Sequence, residues 1–198
     1  YIKLLADRKA KKDAFERELF DFESQLKFVL DPSKIPPAGK GVLAWPLDQV
    51  TLTQQFGVTS DSKRLYASGS HNGIDFRASE GTRVKSASAG TVMGVGDTDR
   101  VCPGASYGKW VLVKHPNGLA TLYAHLSLVK VTANQVVTLG EVIGYSGNTG
   151  YTTGPHLHLT VYVADAVQII QKKSQVCGGT YTLPVAPTNA YLDPLVYL

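Results

Sequence analysis

Apolar positions along this chain follow two periods, and the change falls near residue 31. Upstream, Phe15, Leu19, Phe22, Leu26 and Val29 recur at alternating steps of four and three, the stripe of an amphipathic helix. Continued toward the N-terminus, the stripe runs through Lys12, Arg8, Leu5 and Tyr1, so charge breaks its first half. Residues 1–30 hold 13 of the charged residues and no Gly or Pro, a composition that suits a helix. The stripe admits two readings: a helix lying on its own domain, or the end of a coiled coil that pairs with a partner or a second copy.

Residues 31–41 (D-P-S-K-I-P-P-A-G-K-G) form a Pro/Gly-rich linker that ends the helix. From residue 42 to 198 the texture becomes short β-type runs separated by Gly, Asn and Asp: 82–87, 90–95, 109–115, 120–125, 136–137, 141–145 and 156–163. Asn117-Gly118 between two runs predicts a hairpin with a type I′ turn. A short helical stretch is the expectation for 166–172. The fold class is therefore mainly β, an antiparallel sandwich or barrel-like domain preceded by an N-terminal amphipathic helix.

Composition changes this picture little. The hydrophobic share of 43% and charged share of 18% are those of an ordinary globular chain, and no apolar run reaches the length of a membrane span. The net charge of +4 raises nucleic acid as a partner, but the basic residues are dispersed and form no stripe with aromatics, so no nucleic-acid partner is expected. Weak attraction to an anionic surface such as a bacterial wall fits better. Residue 1 is Tyr and no signal-peptide core is present, so an export signal or anchor upstream of this start is an expectation. Cys102 and Cys177 are the only cysteines, and each sits beside turn residues (V-C-P-G-A and C-G-G). That placement favours one disulfide over two free thiols, and with it an oxidising compartment.

The chemistry concentrates in three short segments: H-N-G-I-D at 71–75, Y-A-H-L at 123–126 and G-P-H-L-H at 154–158. Four of the five histidines lie in them. Zinc favours imidazole nitrogen and carboxylate oxygen, and a catalytic site keeps one position for water. Three protein ligands would leave two histidines for proton chemistry. On a strand, His156 and His158 share one face, and Thr121, Tyr123 and His125 share another. Gly73 between His71 and Asp75 would permit a tight turn. There is no H-E-x-x-H and no acid beside the H-L-H pair, so the base of such a hydrolase would be a histidine. His115 reads as a residue flanking a turn, and Asp97-Thr98-Asp99 as a turn rather than a calcium site. Tyr123, and Tyr66 and Arg64 in the polar loop 59–70, are lesser candidates for lining the groove.

H-N-G-I-D-F (71–76), T-L-Y-A-H-L-S (121–127) and G-x-S-G-N-T-G-Y-T-T-G-P-H-L-H (144–158) closely resemble the M23 (lysostaphin/LytM-like) zinc metallopeptidases. T-Q-Q-F-G (53–57) and D-P-L (193–195) support the resemblance, which covers about 42–198 and not the helix. It implies that His71, Asp75 and His158 ligate zinc and that His125 and His156 form the catalytic pair. It also implies an endopeptidase that cuts peptides of bacterial peptidoglycan, in stem-peptide cross-links or bridges, outside the cytoplasm. The segments 97–106 and 168–180, each carrying one cysteine, would be loops walling the groove. The rival expectation is a non-catalytic wall-binding or hydrolase-activating module with a coiled-coil arm. The intact five-residue set counts against that rival.

Overall fold

The computed structural model describes residues 2–66 and 68–198; Tyr1, the first position of the helical stripe, lies outside the described residues. The N-terminal helix α1 spans Ile2–Gln25. Strand β1 (Leu52–Gln54) is followed by a short helix α2 (Ser60–Leu65) and then by β2 (Ile74–Arg77), β3 (Arg83–Lys85) and β4 (Gly90–Asp97). Next come β5 (Lys109–Lys114), β6 (Leu119–Val129), β7 (Val136–Val137), β8 (Val142–Ser146) and β9 (His156–Val163). The last strands are β10 (Gln168–Lys173), β11 (Thr180–Val185) and β12 (Tyr191–Leu192). All pairings are antiparallel, in a ten-stranded sheet whose main path runs β1-β2-β9-β6-β5-β4-β7, plus the β10–β11 hairpin.

Alternation along the central strands gives the sheet two buried faces. On β9, Leu157, Leu159 and Val161 enter one core cluster with Ile74, Phe76, Tyr123 and Leu126. Ala120, Leu122, Ala124 and Tyr162 face the other cluster, which α1 and the β10–β11 hairpin cover with Phe15, Leu19, Tyr181 and Leu183. Each buried leucine contributes about 1.5–3 kcal/mol relative to exposure, so the central strands are pinned from both sides. The mainly β class with its N-terminal helix is what the structure shows.

The helix is shorter than the 1–30 stripe. It stops at Gln25, and Leu26, Phe28 and Leu30 pack on the second cluster with Lys27 and Val29 pointing out. Burial alternates there outside any helix, and three alternate apolar residues reach the core. Phe15 and Leu19 are buried against the chain's own sheet, so that half of the stripe lies on its own domain. No described helix is long and apolar enough to cross a membrane.

Two local expectations are corrected. Residues 168–173 form strand β10 and not a helix, because they pair in register with β11 from Gln168↔Val185 to Lys173↔Thr180. The β5–β6 hairpin forms, but Gly118 has φ 87° while Asn117 is not left-handed, and a type I′ turn needs positive φ at both. The chain does bend at Asn72-Gly73, and Gly73 is needed there because a Cβ would lie 2.3 Å from Leu159 O and 2.8 Å from His158 Cε1. Cys102 and Cys177 form a disulfide that ties the loop after β4 to the β10–β11 hairpin turn. Asp97 caps a one-turn 3₁₀ helix, and Asp99 accepts from the N–H groups of Gly104 (2.6 Å) and Gly150 (3.0 Å), so that acidic run is turn architecture.

Candidate active site

The site is built on three adjacent strands. β2 pairs with β9 so that Asp75 lies opposite His158 and Arg77 opposite His156. β9 also pairs with β6, which sets Ala124 opposite His158. Cross-strand partners point to the same face, so Asp75, His156 and His158 converge without any unusual backbone. His71, just before β2, is fixed by a backbone bridge to Gly57.

His125 reaches the same face by a different route. Between Tyr123 and Leu126, β6 carries one residue more than β5 opposite it, since Val111 pairs with Tyr123 and Lys109 with Leu126. This is a β-bulge, and His125 takes φ 61° in it. The expectation that Tyr123 and His125 share a face is therefore wrong. Tyr123 points into the first core cluster, where its OH accepts from Ala87 N–H (2.7 Å) and lies 2.9 Å from Thr121 Oγ1. His125 turns toward the metal-type cluster, its ring 4.7 Å from that of His156 and 5.7 Å from that of His158. The structure thus brings all five sequence-predicted residues together.

Their donor atoms are arranged to hold a cation. His71 Nε2, Asp75 Oδ1 and His158 Nδ1 form a triangle with edges of 3.1 Å (His71–His158), 3.3 Å (His71–Asp75) and 2.9 Å (Asp75–His158). Tetrahedral N and O donors about 2.0–2.1 Å from an ion lie about 3.3 Å apart, so the residues fit a metal. The far side of each imidazole is also engaged. His71 Nδ1–H donates to Gln55 O at 3.1 Å, and His158 Nε2 lies 2.8 Å from Thr160 Oγ1. Such outer contacts fix which ring nitrogen faces a metal. Burial alone would raise the Asp75 carboxyl, but hydrogen bonds from His158 and His71 outweigh it and hold it well below the usual carboxylate range.

The other two histidines carry their own orienting bonds. His125 Nδ1–H donates to Thr149 O at 2.8 Å, which leaves Nε2 as the free nitrogen. Thr149 is itself held, its hydroxyl donating to Leu126 O at 2.8 Å. Burial, reinforced by His156 and His158, pushes His125 well below its ordinary value and keeps it neutral. His156 Nδ1–H donates to Gly154 O at 2.8 Å, and its Nε2 lies 3.7 Å from Asp75 Oδ2.

A cavity of about 440 Å³ opens onto His71, His125 and His158. Tyr66 lines it, stacked parallel on His71 at 5.0 Å with its OH donating to Gln54 Oε1. Arg64 instead pairs with Asp61 at the surface. His115 does more than flank a turn: it is 2% exposed, with Nδ1–H donating to Ala89 O (2.9 Å) and Nε2 2.8 Å from Thr121 Oγ1, remote from the cluster. Thr160, Thr149 and Tyr107 are further side chains of the site. Thr160 had a signal, being two residues beyond His158 on the same strand face, whereas Thr149 and Tyr107 come from loops that no periodicity describes.

The chain is similar to several known proteins. The peptidoglycan DD-endopeptidase ShyA of Vibrio cholerae is 43% identical over 93 residues, covering 47% of this chain and 20% of that protein. The crystal structure of a zinc containing peptidase from Vibrio cholerae superposes with a TM-score of 0.52 at 31% identity, covering 61% of this chain and 36% of that one. The catalytic domain of lysostaphin from Staphylococcus simulans gives 0.53 at 26% identity, covering 74% and 90%. The chain spans about a fifth of the length of the first curated relatives it matches. A family model matches residues 69–171, more than half of the chain and including all five clustered residues, and on that match the chain belongs to peptidase family M23.

Proposed function

We propose that this chain is a zinc-dependent endopeptidase that hydrolyses peptide bonds of bacterial peptidoglycan outside the cytoplasm. The observation that carries the proposal is the buried His71–Asp75–His158 triangle with the His125–His156 pair at its edge. Two imidazoles and one carboxylate are the donor set of a catalytic zinc that keeps a position for water. A bound zinc supplies Lewis-acid chemistry, polarising the scissile carbonyl and acidifying water. Among relatives, ShyA is named as a peptidoglycan DD-endopeptidase, which points to the wall peptide as substrate and to an extracytoplasmic site of action. The disulfide agrees with an oxidising compartment.

The chain's own residues divide the remaining tasks. His125 is neutral and anchored through Nδ1, so its Nε2 lone pair is free to take the proton of the attacking water. The same nitrogen can return that proton to the departing amine. His156, anchored on Gly154 O, directs Nε2 toward the same space, where a proton on it would donate to the developing oxyanion. Asp75 meanwhile stays ionised beside two imidazoles and offsets the charge of the cation.

The test is metal analysis combined with digestion of purified peptidoglycan, the released fragments being identified by mass spectrometry. The proposal expects about one zinc per chain, loss of digestion on chelation and new peptide termini. A zinc-loaded chain that releases no fragment from any wall would overturn it in favour of the non-catalytic, hydrolase-activating reading.

A further inference from the structure

We infer that Asp99 is a positioning residue for the proposed base, acting on His125 through the peptide group between Thr149 and Gly150. The inference rests on the proposed hydrolase reading and deepens it. That single peptide group is engaged at both ends. Its carbonyl oxygen accepts from His125 Nδ1–H at 2.8 Å, and its N–H donates to Asp99 Oδ2 at 3.0 Å. A trans peptide points its C=O and N–H in opposite directions. Carboxylate, peptide and imidazole therefore form one continuous run of hydrogen bonds.

Both ends of this run are held in place. Asp99 Oδ1 accepts from Gly104 N–H at 2.6 Å, within its own loop. Thr98 beside it is buried, its hydroxyl donating to Ala105 O (2.7 Å) and accepting from Gly108 N–H (2.8 Å). The disulfide fastens the same loop at Cys102. Residues 98–108 meet the Thr149–Gly150 turn backbone against backbone. A Cβ on Gly150 would stand 2.3 Å from Gly108 N, and Tyr151 N–H donates to Ser106 O at 2.7 Å. His125 is tied to the loop as well, its own backbone N–H donating to Tyr107 O at 2.8 Å. Arg100 and Lys109 lie near Asp97 instead, at 3.9 and 3.6 Å. Among the described residues Asp99 has no cation partner, so its charge is committed to the two N–H groups.

A carboxylate on one side of a peptide group polarises it and makes the carbonyl on the other side a stronger acceptor. For His125 this has two consequences. The ring is held with Nδ1 protonated and Nε2 bare, which is the form a base needs. When Nε2 takes a proton from water, positive charge spreads over a residue only 6% exposed, where solvent gives it little support. The run that ends at Asp99 then faces that charge with a carbonyl backed by an anion. Serine hydrolases set a carboxylate directly on such a histidine. Here one peptide group stands between the two, and the segment 97–106 supplies the carboxylate.

The experiment uses the full chain, loaded with zinc, and compares the wild type with Asp99→Asn, which keeps the side-chain volume and removes the charge. Zinc content, kcat and KM on a soluble cross-linked wall peptide, and the NMR signal of the His125 Nδ1–H proton are read on the same preparations. Zinc content and KM should stay unchanged, while kcat falls about 10–100-fold, the usual loss when an outer partner of a site residue is removed. The Nδ1–H signal should move upfield as its hydrogen bond weakens. Amide exchange at Gly108 and Tyr151 monitors the loop, and it should not change. If it does accelerate, NMR couplings across the two hydrogen bonds of the wild type decide: both present supports the inference, and either one absent overturns it. In a chain that cuts, an unchanged kcat or an unmoved Nδ1–H signal also overturns it. A shifted Nδ1–H signal with no cleavage by any form would uphold the link from Asp99 to His125 and sink the hydrolase reading.

Discussion

At Gly73 a side chain has nowhere to go, since its Cβ would stand 2.3 Å from Leu159 O and against the His158 ring. Gly73→Ala must push β2 away from β9, so it is expected to cost about 1–3 kcal/mol of stability and to weaken metal binding together. A thermal melt and a metal titration check both. Thr160→Val separates the two effects, because it keeps the volume and removes only the oxygen 2.8 Å from His158 Nε2. The expected result is a 10–100-fold loss of metal affinity with the fold retained. Unchanged affinity would mean that Thr160 does not orient His158. The identities of the clustered residues were legible because His and Asp in three short motifs are chemically specific. How His125 arrives was not legible, because alternation along β6 places it on Tyr123's face and one inserted residue reverses that.

The seven β-type runs read from the sequence all correspond to strands, since each alternates or runs apolar between turn residues. The misread stretches are those whose neighbours, rather than their own pattern, choose the structure. Gln168–Lys173 is built of residues that tolerate a helix, yet pairing with β11 makes it a strand, and residues 26–30 leave the helix and pack on the second cluster by alternate side chains. Helix α1 adds a pH dependence of its own. Burial pushes Glu16 and Glu23 up to about 7 against an ordinary carboxylate value of 4.5. Glu16 faces Ser106 N–H with Asp13 and Glu23 nearby, while Glu23 faces Tyr191 and Ala186 N–H with Tyr107 and Tyr162 behind. A docked state that holds its protons more tightly than the undocked one is most stable below about pH 4.5, and that stabilisation is lost as pH rises through about 7. Hydrogen exchange in α1, corrected for intrinsic rates, should therefore accelerate between about pH 5 and about pH 8, and Glu23→Gln should flatten the change. Exchange that stays constant across this range would show that neither carboxyl titrates with docking.

Over the whole molecule, one covalent cross-link ties the loop after β4 to the β10–β11 turn. The disulfide spans 75 residues of sequence, and closing a loop of that length stabilises by about 4 kcal/mol on chain-entropy grounds. Replacing both cysteines by serine should lower the melting temperature by about 10 °C. A shift of only a degree or two would mean that the link constrains the loops and not the fold. Zinc-loaded His125→Ala decides whether the five clustered residues divide into metal holders and proton carriers. Metal content and peptidoglycan turnover would be measured on the same sample, beside Asp75→Ala. His125→Ala should keep about one zinc per chain while turnover falls about 10²–10⁴-fold, and Asp75→Ala should lose both. Wild-type turnover by His125→Ala, or loss of its zinc, would contradict that division.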